Sequence, residues 1–172
     1  KQRLDSVHLK SNMRRLGRLM ILARCIHRLL TNLHRRHPEL LAGLAPELPE
    51  RYLARQALGC FSMVKPSAAE KTLAEVAQDA YDLLQQFAEH PQVSALLSYR
   101  LLKRAFDDHC RVQPATAEAP VEVEVRPARE VSSRSLQNPS DPEAAYRGHQ
   151  GQGYQAQVME TFCESADPQV KA

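Results

Sequence analysis

Leu4-Asp5-Ser6-Val7-His8-Leu9-Lys10-Ser11 alternates with a period of two. Leu4, Ser6, His8 and Lys10 share one side; Asp5, Val7, Leu9 and Ser11 share the other. That spacing predicts a short strand, although neither side is purely apolar. Asp5 keeps the company of Val7 and Leu9, so its carboxylate is expected to point toward apolar neighbours. A carboxylate so placed is costly unless a cation or hydrogen-bond donors satisfy it. Asp5 is therefore either a metal ligand or a strand-edge Asp bonding a backbone N–H.

The surrounding composition sets bounds. A chain of 172 residues predicts one domain, or one domain with an appendage. At 43% hydrophobic with no Trp, its core is expected to be mostly aliphatic. Lys1 in place of a Met, and the unpunctuated end Asp167-Pro168-Gln169-Val170-Lys171-Ala172, read as a segment open at both ends. Cys25, Cys60, Cys110 and Cys163 form no C-x-x-C pair, which argues against a zinc knuckle or a disulfide framework and fits a reducing cytoplasm. No apolar run reaches the roughly 18 residues of a membrane span, and no signal peptide is read; no membrane partner is expected.

Charge is distributed unevenly. Residues 1–37 hold 10 of the 23 Lys and Arg with Asp5 as their one acid, so +9 there stands against −6 in the remainder. Such a block is either a phosphate-contacting surface or a solvated helix face. Residues 13–36 carry Leu16, Leu19, Met20, Ala23, Ile26, Leu30 and Leu33 at spacings of three and four, the pattern of an amphipathic helix. Arginines occupy much of its other surface, and arginine suits forked bonding with phosphate oxygens. Lys10, Arg14, Arg15, Arg18, Arg24 and Arg28 are the candidate phosphate contacts.

Pro38 breaks that helix, residues 43–49 allow only short turns, and residues 51–58 read as one further short helix. Ser67-Ala68-Ala69-Glu70 has the form of a capping box. Leu73, Val76, Ala77, Ala80, Leu84 and Phe87 then continue a helix. Pro91 suits the first turn of the next one, which presents Val93, Leu96, Leu97, Leu101 and Phe106. The two predict an antiparallel packing pair with no chemistry on it. Val121-Glu122-Val123-Glu124-Val125 alternates strictly, as an edge strand or an extended linker would.

The C-terminal part holds a second distinctive stretch. Asn138-Pro139-Ser140-Asp141-Pro142 is a turn by composition. Gly148, Gly151 and Gly153 lead into Tyr154-Gln155-Ala156-Gln157-Val158-Met159-Glu160-Thr161, which alternates and is expected to pair beside the Asp5 strand. The glycines make no phosphate loop, because no lysine-serine pair follows and a strand rather than a helix comes next.

Leu4-Asp5-Ser6-Val7-His8, with Ser11-Asn12-Met13-Arg14-Arg15-Leu16-Gly17-Arg18, resembles the first catalytic strand of DDE-type bacterial insertion-sequence transposases. The later stretch, of the form S-D-P-x-A…G-x-x-G-x-G-Y-x-x-Q, resembles a block of the same family and is the more specific of the two. The resemblance implies an α+β fold: a partial RNase H-like catalytic domain with a mixed sheet and a large helical insertion, incomplete at both ends. It divides the chain into a first catalytic strand (1–12), a helical region (13–110), a linker or edge strand (111–134), and a turn with a second strand of the core (135–172).

The family's activity is metal-dependent DNA strand cleavage and strand transfer, with three acids holding Mg²⁺ (or Mn²⁺). Two such ions activate the attacking oxygen and stabilise the leaving one, and hard cations require oxygen ligands. Asp5 occupies the first acid's position and is the expected catalytic and metal-binding residue. The second Asp and the final Glu are expected beyond Ala172, so this segment alone should be inactive. The implied partners are double-stranded DNA, both transposon ends and target, and a second copy in a synaptic complex. The implied setting is the bacterial cytoplasm, at the nucleoid when DNA-bound. The alternatives are a non-enzymatic helical DNA-binding module and a decayed transposase remnant. Asp141 reads as a turn former, Glu160 as a supporting or merely pairing residue, and His149 as a backbone contact or an exposed side chain. His8, three residues past Asp5, falls on the opposite face of the strand.

Overall fold

The computed structural model describes residues 2–10, 16–115, 121–147, 149 and 151–161. Their architecture is α+β: a helical body flanked by two small antiparallel sheets.

The body is built around α1 (Arg18–Arg36), whose Ile21, Leu22, Ala23, Cys25, Ile26, Leu29, Leu30 and Leu33 are buried. This is more than the single stripe expected, and the stripe's first members, Leu16, Leu19 and Met20, are only partly covered. The cause is that α1 is enclosed from several sides. Packed against it are α5 (Pro66–Phe87) and α7 (Leu97–His109), and also α2 (Pro38–Ala42), α3 (Glu47–Leu53) and α4 (Ala57–Ser62). A short α6 (Pro91–Ser94) precedes α7. Polar ties fix the packing. Tyr99 donates to the Leu84 carbonyl at 3.0 Å, Asn32 to Ser98 Oγ at 2.8 Å, and His27 Nδ1 lies 2.7 Å from the Tyr52 carbonyl. The Tyr52 hydroxyl donates to Asp79 at 2.6 Å, and the same carboxylate receives Arg51 at 2.8 Å.

Three local expectations are corrected. The single helix expected over residues 51–58 is two, α3 and α4, broken at residues 54–56 where Ala54 is extended. The break lets Tyr52 stack on Phe61 with centroids 5.4 Å apart. Nine residues of unbroken helix would separate them by about 13 Å along the axis. The capping box does not form: α5 starts at Pro66, its cap residue is Lys65, and no side chain caps it. Pro66, with its fixed φ and missing N–H, is a better first helical residue than Ser67 is a cap. The helix after Pro91 is likewise two, because Leu96 is extended and α7 starts anew.

A hairpin follows α7. β2 (Cys110–Gln113) pairs antiparallel with β3 (Glu122–Val125), so the alternating valines and glutamates are a strand. Val123 and Val125 pack on the core, while Arg111 meets Glu124 at 2.6 Å on the exposed side. The second sheet has the order β1-β5-β4, from β1 (Gln2–Lys10), β5 (Gly151–Thr161) and β4 (Ala145–Arg147). Both pairings are antiparallel.

Between hairpin and sheet, residues 131–144 are clamped to the helical body. Leu136 is fully buried, and its N–H donates to Asp108 of α7 at 2.8 Å. Arg104 donates to the carbonyls of Pro142 at 2.6 Å and Arg134 at 3.1 Å; Arg28 of α1 donates to the Pro139 carbonyl.

Candidate functional site

The two stretches with the family resemblance lie at opposite ends of the described chain and meet as adjacent strands. Asp5 stands opposite Val158, Val7 opposite Ala156 and Leu9 opposite Tyr154. Directly opposed residues in an antiparallel pair project to the same side. Asp5, Val7, Leu9, Tyr154, Ala156 and Val158 therefore share one face. The expectation that the Asp5 carboxylate sits among covered apolar groups is corrected: Asp5 is exposed, and Val7 and Leu9 are about half-exposed. No described element covers this face, so the burial argument for a cation at Asp5 does not hold here. What remains is an accessible hard oxygen donor on a regular strand.

Gly151 and Gly153 serve the strand pairing; Gly148 lies outside the described residues. Gly151 has φ +80°, a conformation that favours glycine, where β5 begins. A Cβ on Gly153 would collide with the Leu9 carbonyl oxygen and stand 2.8 Å from His8 Nε2. His8 thus lies against β5 on the face away from Asp5, as expected. Its ring nitrogens are buried and lack hydrogen-bond partners.

Asp141 is a turn residue, its N–H donating to the Asn138 carbonyl at 3.0 Å, and Asn138 Oδ1 accepts the N–H of Ser140. It also receives the hydroxyl of Tyr154, and this bond to a carboxylate pushes the Tyr154 hydroxyl above its ordinary pKa. The motif's Asp and Tyr are thus joined, a clasp that sequence spacing did not predict. Among the described residues no group of three His, Cys, Asp or Glu is placed to hold a metal ion. His149 is exposed. The side chain of Glu160, and Asp167 altogether, lie outside the described residues.

The candidate DNA contacts are dispersed. Lys10 is exposed at the end of β1. Arg18 is partly buried and donates to the Arg126 carbonyl at 2.5 Å. Arg24 is partly buried, with Nε lacking a partner, and Arg28 holds the Pro139 loop. Arg14 and Arg15 lie outside the described residues. The basic residues that α1 exposes are His34, Arg35 and Arg36, in its last turn, where cations offset the helix dipole. No helix among the described residues is long and apolar enough to cross a membrane. No family model, curated protein or solved structure matches this chain.

Proposed function

We propose that this chain is part of a DDE-type bacterial insertion-sequence transposase. In this reading the β1-β5-β4 sheet begins an RNase H-like core, and the helical body is an insertion between its strands. One observation carries the reading: the two stretches that resemble the family, some 130 residues apart, are neighbouring strands with the Asp5 carboxylate accessible on their shared face.

Asp5 would be the first carboxylate to hold Mg²⁺ (or Mn²⁺), which supplies charge stabilisation at a phosphodiester. One carboxylate does not make a site, so the further acids belong to other parts of the parent protein. The bases of β1 and α1 would contact transposon or target DNA at the nucleoid, with a second copy completing a synaptic complex.

The test begins with the gene. An in-frame sequence after Ala172 supplying an Asp and a Glu is expected, and the protein it encodes should cut DNA carrying its element's ends when Mg²⁺ is added. Asp5→Ala should abolish the cut. Full cleavage by that variant sinks the assignment of Asp5, and a stop codon in place of the acids sinks the catalytic reading.

A further inference from the structure

A cavity of about 710 Å³ opens where the first turn of α1, the end of α7 and the serine-rich loop meet. Its walls include Arg18 and Ile21 of α1, His109 of α7, and Val131, Ser133 and Ser135 of the loop. Two independent features point to a ligand.

The first is the start of α1. This 19-residue helix has Gly17 at its cap; among the described residues no side chain caps it, and its first turn holds no acid. The leading N–H groups of a helix lack intrahelical partners and carry partial positive charge. Leu16, Gly17, Arg18 and Ile21 all line the cavity, so this end faces into it. The Arg18 guanidinium adds a full charge. Its described partner is the Arg126 carbonyl, and among the described residues it has no carboxylate partner. Backbone donors and a guanidinium together are the usual recognition elements for phosphate.

The second is His109. It is only 2% exposed, lines the same cavity, and among the described residues neither ring nitrogen has a hydrogen-bond partner within ordinary geometry. The Leu136 backbone stands close enough to the ring to oppose the effect of burial on its pKa. Burial holds the imidazole below its ordinary pKa, so it is neutral and offers one donor and one acceptor. Buried polar groups of this kind are ordinarily satisfied, and this ring lines the cavity.

We propose that this cavity binds a phosphate monoester carried on a nucleoside-sized body. The phosphate sits at the start of α1 against Arg18. The ring system lies between Ile21 and Val131, with its polar edge on His109 and the serines. A bare phosphate would leave most of the volume and His109 unused, and small-ligand sites commonly span roughly 300–1,000 Å³. A free nucleotide and the 5′-phosphorylated end of a DNA strand offer the same chemistry. The inference does not rest on the transposase reading: loss of Asp5-dependent cleavage would leave it standing.

The experiment titrates the full chain while following the His109 ring resonances by NMR and affinity by calorimetry. The probes are deoxyadenosine 5′-monophosphate, deoxyadenosine, inorganic phosphate, and a tetranucleotide with or without a 5′-phosphate. The monophosphate or the phosphorylated tetranucleotide should shift the His109 ring. Removing the phosphate from the probe should weaken binding at least about tenfold, as should Arg18→Gln. Shifts with the monophosphate identify a free nucleotide as sufficient; shifts confined to the phosphorylated tetranucleotide identify a strand end. Either supports the site. An unmoved His109 ring with every probe at millimolar concentration overturns it, as does binding indifferent to the phosphate. The comparison of phosphorylated and unphosphorylated probes needs only the wild-type chain, so it stands even if Arg18→Gln fails to fold.

Discussion

The carboxylate of Asp108 accepts the backbone N–H of Leu136 at 2.8 Å, joining the end of α7 to the loop that leads into the β1-β5-β4 sheet. Leu136 itself is fully buried. Asp108→Ala should cost about 1–2 kcal/mol, because it removes a hydrogen bond to a charged, part-exposed acceptor. Leu136→Ala should cost about 2–5 kcal/mol through lost burial and a cavity. The two act on one contact, so the double variant should lose less than the sum. Urea unfolding of the four proteins decides it, and simple additivity would mean that the loop is held elsewhere.

The β1–β5 pairing depends on one missing side chain. A Cβ at position 153 would enter the space of the Leu9 carbonyl oxygen, a backbone atom that cannot swing aside. Gly153→Ala should therefore pry β1 from β5 while leaving the helical body folded. Hydrogen exchange reads this directly: β1 amides should lose protection while α1 and α5 amides keep theirs. Gly59→Ala is the control. It lies in α4 with open space around its Cβ position, and alanine there should stabilise by up to about 1 kcal/mol.

These examples also show where sequence reading reached and where it stopped. Periodicity is a local property, and it located β1, the valine-glutamate strand, most of the buried face of α5 and the pairing partner of the Asp5 strand. It missed α1's wider burial because a helix enclosed from several sides buries more than one stripe. It missed the break at residues 54–56 because that break serves the Tyr52–Phe61 stack, a contact visible only in three dimensions. Arg28, Arg104 and Asp108 clamp a loop more than 25 residues away in sequence, which no spacing rule encodes. Asp5 is the clearest case. Alternation assigned its face correctly, but whether that face is covered depends on the rest of the fold.

The cysteines should divide by reactivity. Burial pushes the thiols of Cys25 and Cys110 up to about 12, with Arg28 opposing it for Cys25 and Arg18 and Arg126 for Cys110. Both are buried and Cys60 is exposed. A thiolate is the reacting species, so a raised pKa and burial act together against alkylation. In a Cys163→Ser background, iodoacetamide at neutral pH should label Cys60 within minutes and spare the other two until denaturant is added. Peptide mass spectrometry gives the answer. Equal labelling of Cys25 in the folded protein would contradict the enclosed α1.

His109 should make stability depend on pH. Burial lowers its folded-state pKa, the nearby Asp108 and the Leu136 backbone oppose this, and Arg18 adds a smaller push downward. The unfolded chain therefore takes up a proton near the ordinary value of about 6.5 before the folded chain does. The resulting stability is present above that value and lost as pH falls through the window between the two. His109→Gln removes this contribution without adding charge. Its urea midpoint should fall less between about pH 7.5 and about pH 5.5 than the wild-type midpoint does. An identical fall in both proteins would place the titration elsewhere.

Arg28 and Arg35 lie on the same helix, two turns apart, and should answer differently to the same substitution. Arg28 is partly buried and spends a guanidinium N–H on the Pro139 carbonyl, whereas Arg35 is exposed in the last turn. Arg28→Gln should cost about 1–2 kcal/mol of stability, since a hydrogen bond from a charged donor is lost at a part-buried site. Arg35→Gln should stay within about 0.5 kcal/mol, as exposed substitutions usually do. If α1 contacts DNA, Arg35→Gln should lower affinity and flatten the salt dependence by about one phosphate contact, with the fold intact. Arg28→Gln should instead lower stability before any DNA is added. Fluorescence anisotropy across a salt series, run beside urea unfolding, separates the two effects. A stable Arg28→Gln protein with a flattened salt slope would mean that the loop clamp is dispensable and that this arginine faces DNA.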